Sequence, residues 1–372
     1  MENVRTGSML DRLLDWAERQ NASDVHGQAD KPFTVRVNGQ MVKVPVDLFP
    51  IRDGDGMKEL LQQGLSAKAY ERIEREREYD MSFYWGHLRF RGNFSKQMGQ
   101  QTFALRSVPQ HVFRLKDLQL PESLASLAHE HRGLVIVCGP TGQGKSTTLR
   151  ALLQEANAIR CVRIITIEDP VEYIFTDDKS QFEQREVGTD TNSFADGIRN
   201  AMRQDPDMIL IGEIRDRESV AAALQASETG HLVLTSFHAD SVTHAVSRLR
   251  EFFAITEQEQ LGSLLSRNIH AIISQRLIPN LQGKRTPCLE ILRRDRGVQD
   301  AIKSNDMAML NGILEAAGQQ GMQTFDQCLA KLLKDGTIKK EIALQYAANR
   351  HRLDLALKGF VTSTAILSRD VR

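Results

Sequence analysis

The sequence predicts an α/β protein in two parts, a small N-terminal α+β region and a larger region built on a parallel sheet. Short apolar runs without alternation, residues 134–138, 164–167, 208–211 and 232–234, read as strands covered on both faces. Helical patterns separate these runs, the rhythm of an α/β fold. Ahead of them, alternation between residues 33 and 107 reads instead as antiparallel strands with one wet face.

A chain of 372 residues is too long for one ordinary domain. The expected division is a domain over residues 1–108, a linker over 109–118 and a second domain over 119–372. The last part, from about 297 to 372, looks helical throughout. Lys plus Arg (48) balance Asp plus Glu (48), which argues against a constitutive nucleic-acid coat. No stretch approaches the ~20 apolar residues of a spanning helix, and the start, with Glu2 and no apolar core, does not read as a signal peptide. Cys138, Cys161, Cys288 and Cys328 lack paired C-x-x-C spacing, so buried reduced thiols are expected rather than a zinc site.

Element by element, residues 9–20 put Met9, Leu10, Leu13, Leu14 and Ala17 on one helical face. Phe33, Val35 and Val37 alternate, Asn38-Gly39 forms a tight turn, and Val42 and Val44 alternate back, a hairpin signal. A helical stretch over 57–78 precedes a pair of strands expected through 81–94 and 102–107. The buried run 134–138 then leads into Gly139-Pro140-Thr141-Gly142-Gln143-Gly144-Lys145-Ser146, which fits G-x-x-x-x-G-K-[ST] and opens a helix at Thr147. Strand, glycine-rich loop and helix together are the context that a phosphate-binding loop requires. The glycines let backbone N–H groups converge on phosphate oxygens, Lys145 supplies positive charge, and the Ser146 hydroxyl suits Mg²⁺. ATP with Mg²⁺ is therefore the expected ligand of residues 139–147.

Hydrolysis needs a carboxylate nearby. The run 208–211 delivers Glu213 at its carboxyl end, where ligands of open α/β sheets bind. Glu168-Asp169-Pro170-Val171-Glu172 follows the run 164–167, and Pro170 turns the chain there. Alone, either acid group could be a solvated strand end; beside a complete phosphate loop, both read as positioning Mg²⁺ or the attacking water. His231 and His238 flank the run 232–234 and could lie near one sheet edge. With His244 they could suggest a metal cluster, for which a magnesium enzyme has no evident need.

Four boxes in this order, Gly-Pro-Thr-Gly-Gln-Gly-Lys-Ser, Thr-Ile-Glu-Asp-Pro-Val-Glu, Gly-Glu-Ile-Arg-Asp and Glu-Thr-Gly-His…Phe-His, resemble the Walker A, Asp box, Walker B and His box of the PilT-type secretion and pilus ATPases. Ala22-Ser23-Asp24-Val25-His26 and Gly321-Met322-Gln323-Thr324-Phe325-Asp326-Gln327 extend the resemblance over nearly the whole chain. It implies a homo-hexameric ring, with a PAS-like N-terminal domain joined to a RecA-like ATPase domain and ATP between them. It further implies a cytoplasmic motor held at the inner membrane by components of a secretion, conjugation or pilus machine. By the same analogy Glu172 and Glu213 act on the water and the Mg-γ-phosphate group, with Asp169 beside them, while His238 and His231 sense the γ-phosphate.

Residues 297–304, Gly-Val-Gln-Asp-Ala-Ile-Lys-Ser, keep only a trace of the Ala-Ile-Arg-Asn-Leu-Ile-Arg-Glu of retraction-type members. That tilts the reading from pilus retraction toward a type IV secretion or conjugation ATPase of the DotB/TraJ branch. Alternation in 88–94 and 103–106 also sends Arg89, Arg91 and Arg106 to one polar sheet face. The resemblance implies N-terminal arginines at the ATP site, and Arg215 looks tied up beside Asp216, so these three are candidate arginine fingers. Two readings from other classes are a RecA-like motor on DNA and a nucleotide-binding adaptor without turnover. A neutral chain with five Tyr and two Trp offers no evident stacking groove for the first, and the retained acids Glu172 and Glu213 speak against the second.

Overall fold

The computed structural model describes residue 4 and residues 6–86, 88–108, 113–316 and 321–357. Residues 109–112 of the expected linker, and 317–320 and 358–372 of the expected helical region, lie outside the described residues. The chain divides into two compact units, Met1–His111 with Pro170–Ile174, and Val112–Asp169 with Phe175–Arg372.

In the first unit the order is α1 (Met9–Arg19), β1 (Asp24–Gln28), β2 (Thr34–Val37), β3 (Gln40–Lys43), α2 (Gly54–Gly64), α3 (Ala67–Arg75), β4 (Glu78–Trp85), β5 (Leu88–Gln97) and β6 (Gln100–Val108). Ser8 starts α1 by accepting the Asp11 amide at 3.1 Å, and the helix buries Met9, Leu10, Leu13, Leu14 and Ala17. Each large apolar side chain of that stripe contributes ~1.5–3 kcal/mol on burial. Asn38 and Gly39 both take positive φ (50° and 83°), the backbone of a two-residue hairpin turn between β2 and β3.

Two expectations are corrected in this unit. The helical stretch 57–78 is two helices, because the chain turns extended at Leu65 and Ser66 and the Ser66 hydroxyl caps α3 through the Ala69 amide. The stretch 81–94 is also divided: Gly86 at φ 55° closes β4, and β5 runs back antiparallel to it. The resulting six-stranded sheet has the order β3-β2-β1-β6-β5-β4 with every pair antiparallel. Its inward residues, Val25, Val35, Phe90, Phe94, Phe103 and Leu105, share one core with α1, α2 and α3.

The second unit contains β7 (Gly133–Cys138), α4 (Lys145–Ile159), β8 (Arg163–Glu168), β9 (Gln181–Glu186), α5 (Phe194–Ala201), β10 (Met208–Ile211), α6 (Arg217–Glu228), β11 (Leu232–Phe237), α7 (Val242–Glu251), α8 (Gln258–Asn268), β12 (Ile269–Pro279) and β13 (Arg285–Arg293). Helices α9 (Arg296–Ser304), α10 (Met307–Ala316), α11 (Phe325–Lys334), α12 (Lys340–Tyr346) and α13 (Arg350–Leu357) follow, so the described part of the expected helical region is helical. Seven strands lie in the order β13-β12-β7-β11-β10-β8-β9, and only β13 runs antiparallel to its neighbour. The four apolar runs become β7, β8, β10 and β11, of which β7, β10 and β11 are buried throughout, as strands between two helical layers must be. Strands β9, β12 and β13 go beyond the sequence expectation. Cys161 is exposed, against the expectation of buried thiols, whereas Cys138, Cys288 and Cys328 are buried. Among the described residues no helix is long and apolar enough to cross a membrane.

Candidate active site

The parallel register brings the carboxyl ends of β7, β8, β10 and β11 to one edge of the second unit. Four of the sequence-selected groups start there. Residues 139–144 leave β7, Asp169 follows β8, Glu213 follows β10 and His238 follows β11.

The loop is shaped by backbone requirements. Gly139, Gly142 and Gly144 all take positive φ (148°, 76° and 82°), and Gly144 is the residue on which α4 starts. A Cβ on Gly139 would stand 2.4 Å from the Gln275 carbonyl oxygen, so glycine there is a matter of space as well as of φ. Pro140 and Thr141 form the outer arc. Lys145 is buried in the first turn of α4, with Nζ donating to the carbonyls of Gly139 at 2.8 Å and Pro140 at 3.1 Å. Burial pushes the Lys145 pKa down, while the Glu213 carboxylate opposes that shift, which puts the two charges within electrostatic reach. Ser146 and Thr147 complete the turn, Ser146 being exposed.

Glu213 is held from two sides. His238 Nε2 lies 3.0 Å from Oε1, and Arg215 Nη2 lies 3.2 Å from Oε2. Arg215 also reaches Asp169 Oδ2 at 3.3 Å, so one guanidinium links the acid boxes after β8 and β10. This corrects the sequence reading of Arg215. Asp216 is engaged elsewhere, accepting the Ser219 amide as the cap of α6 at 2.7 Å. The Ser236 hydroxyl donates to the Gly212 carbonyl at 2.6 Å and fixes the strand end that carries Glu213. Glu168 stays buried, accepting from Thr166 at 2.7 Å.

His231 is separated from this group, which corrects the pairing with His238. It sits before the first residue of β11, its carbonyl accepts the Gly133 amide, and its ring Nδ1 is 2.9 Å from the Ala226 carbonyl. That is the amino pole of the sheet, a strand length of about 3.3 Å per residue away from His238.

Gln275 escaped the sequence reading although it braces the loop. It is 2 % exposed on β12. Its Nε2 donates to the Gln143 carbonyl at 2.7 Å, and its Oε1 accepts from the Thr148 hydroxyl at 2.7 Å. Gln143 returns the contact, its Oε1 accepting the Leu277 amide at 2.7 Å. The signal available in sequence was the polar Ser274-Gln275-Arg276 inside the apolar run 269–278.

Arg89, Arg91, Arg106 and Glu172 belong to the first unit. The ladder pairs Arg91 with Arg106 and leaves Arg89 at the same parity, so the three arginines share one face. Arg106 is already engaged there: its Nε donates to Asp24 Oδ1 at 2.8 Å. Burial raises the Asp24 pKa, but the bonds from Arg106 and Ser23 outweigh it and hold the carboxyl below its usual range.

Taken together, the second unit has a glycine-rich loop at a helix start, a lysine inside it and a carboxylate clamped by an imidazole and a guanidinium. Residues 84–331 match the family described as type II/IV secretion system protein. The chain belongs to the type II/IV secretion system protein family. It is a PilT-like ATPase. It is 35% identical to the type IV pilus retractation ATPase PilT of Pseudomonas aeruginosa, over 91% of this chain and 98% of that one. The type IV pilus ATPase PilU of the same organism is 36% identical over 94% of this chain and 91% of its own. Among solved structures, the pilus retraction motor PilT with bound ADP superposes with a TM-score of 0.85 at 38% identity, covering 93% of this chain and 99% of that one. The ATPase DotB of Legionella pneumophila gives a TM-score of 0.79 at 26% identity, covering 90% and 94%.

Proposed function

We propose that this PilT-like ATPase hydrolyses Mg-ATP as a homo-hexameric ring and turns hydrolysis into motion at a type IV pilus or a related secretion machine. The observation that carries the reading is Glu213, fixed by His238 and Arg215 at the same sheet edge as Lys145. Residues 139–147 would cradle the phosphates. The Ser146 hydroxyl is a hard oxygen donor of the kind Mg²⁺ takes, and Glu213, whose two oxygens already meet His238 and Arg215, would act on the ion through a bound water, so the residues present fit the ion. Bound there, Mg²⁺ would neutralise charge on the phosphates. Glu213, oriented by its two partners, then serves as the proton acceptor for water, and Asp169 keeps Arg215 in place.

The two units correspond in this reading to a PAS-like domain over residues 1–108 and a RecA-like domain over 119–372, joined by 109–118. Arg89, Arg91 and Arg106 act as arginine fingers and Glu172 assists at the water. The ring works in the cytoplasm, peripheral to the inner membrane, through protein components of the machine. Identity of 35–36% to PilT and PilU supports a pilus role. A second reading, a type IV secretion or conjugation ATPase, is favoured by α9, where Gln299 and Lys303 stand in the segment in which retraction-type members carry arginines.

Phosphate release by the purified protein tests the chemistry. Lys145→Ala is expected to weaken both ATP binding and turnover, and Glu213→Gln to bind ATP but turn over negligibly. Normal binding and normal hydrolysis by both variants would refute the assignment. Expression in cells lacking a retraction ATPase separates the machines: restored twitching supports the pilus role, and its absence with full ATPase activity supports secretion or conjugation.

A further inference from the structure

The amino pole of the second sheet, remote from the phosphate loop, carries a second cleft of about 240 Å³. Topology assembles it. Arg132 directly precedes β7, Arg267 lies in the last turn of α8 just ahead of β12, and Arg294 follows β13, whose antiparallel course returns it to the same pole. Ser227 and Glu228 close the wall from the end of α6. Three exposed arginines thus line the cleft with one exposed glutamate, Glu228, which pairs among the described residues with Arg267 at 3.4 Å. Arg294 also acts on the neighbouring His270. Burial lowers the His270 pKa, Glu130 at 3.1 Å opposes, and Arg293 and Arg294 lower it further. Asn268, 6 % exposed, also lines the cleft, and its Nδ2 donates to the Leu264 carbonyl at 3.0 Å.

We propose that this cleft is an oxyanion site that takes a phosphate group, separate from the nucleotide site and at the opposite end of the same sheet. A phosphate presents several oxygens to planar guanidinium forks and carries enough charge to balance the surplus arginines, whereas one carboxylate satisfies a single fork. The group can arrive as free phosphate or on an anionic phospholipid headgroup.

The test uses the full chain with its phosphate loop filled by a non-hydrolysable ATP analogue, so that the first site does not compete. Inorganic phosphate is titrated calorimetrically. In parallel, the protein is sedimented with vesicles of phosphatidylcholine with or without phosphatidylglycerol. Saturable phosphate binding points to a free anion, and retention only on the phosphatidylglycerol vesicles points to a headgroup. In either case Arg132→Ala with Arg294→Ala is expected to weaken binding by about tenfold or more. Glu228→Gln, which removes the competing carboxylate, is expected to strengthen it. These paired shifts in opposite directions are not produced by loss of fold, which thermal melting of each variant checks. Absence of binding in both arms, or binding that the double arginine variant leaves unchanged, overturns the proposal.

Discussion

Gln275 shows how much one buried amide can settle. It satisfies a loop carbonyl and a helix hydroxyl at once, and both partners lie within the nucleotide-binding segment or its helix. Gln275→Ala leaves the buried Thr148 hydroxyl without this acceptor, a loss of about 1–3 kcal/mol. The variant is expected to unfold at lower denaturant concentration and to show a raised KM for ATP; unchanged values of both would contradict the bracing role. Asp24 is the corresponding residue of the first unit. Its folded pKa lies below the ordinary ~3.9, so its contribution to stability is present above that pH and is lost as pH falls through the folded value. Arg106→Ala removes the principal bond while burial remains, so the acid transition of this unit is expected to move to higher pH. Trp16 and Trp85 both lie in the first unit, which makes tryptophan fluorescence against pH the measurement. An unshifted midpoint would show that Ser23 alone suffices. The same pairing makes Arg91→Ala a cleaner trial of an arginine finger than Arg106→Ala, whose loss also disturbs Asp24.

Strand β12 is the element on which the site leans. It runs parallel beside β7 and hydrogen-bonds the loop from its main chain at Leu277 and its side chain at Gln275. The loop must therefore pass close to it, and Gly139 is where the two backbones meet. Gly139→Ala would drive a Cβ into the Gln275 carbonyl at a φ of 148°, where side chains are rarely found. If the loop relieves that strain of about 1–3 kcal/mol by leaving its binding shape, ATP affinity falls by about 5- to 150-fold. Circular dichroism should remain that of the parent. Parent-like nucleotide titration of Gly139→Ala would remove the spatial argument. The long β12–β13 pair also carries α11 against β13, with Cys288, Phe325, Cys328 and Leu329 in one cluster.

If arginines of the first unit serve a nucleotide across a ring, turnover per subunit rises with protein concentration as rings assemble. A concentration series of phosphate release, read beside light scattering, measures this. Rings that mix an Arg91→Ala variant with Glu213→Gln should regain part of the activity neither has alone, since a trans arrangement leaves some sites complete. Turnover that is flat with concentration, together with no recovery on mixing, would place all chemistry within one chain. Arginine fingers contribute roughly 10³–10⁵-fold elsewhere, so a change within twofold in assembled rings would also exclude the three arginines from that role.

What the sequence determined by itself was local in character. The glycine spacing of 139–146, the buried runs of β7, β8, β10 and β11, the stripe of α1 and the Asn38-Gly39 turn each follow from backbone sterics or periodicity within a few residues. The acid after β10 was legible too, because the carboxyl ends of parallel strands converge by rule. Tertiary structure alone decided the rest. Strand β12 follows α8 without a glycine or proline to mark the change, and β9 is a largely polar edge strand, so neither announces itself. His231 and His238 look like a pair seven residues apart, yet an extended strand carries them to opposite poles. Arg215 looks committed to its neighbour Asp216, but that carboxylate is spent on a helix cap and the guanidinium goes to Glu213 and Asp169. Gln275, 132 residues from Gln143, meets it only because β12 lies beside β7. Contacts between distant segments depend on strand order, and strand order is set by the packing of the whole sheet rather than by any window of sequence.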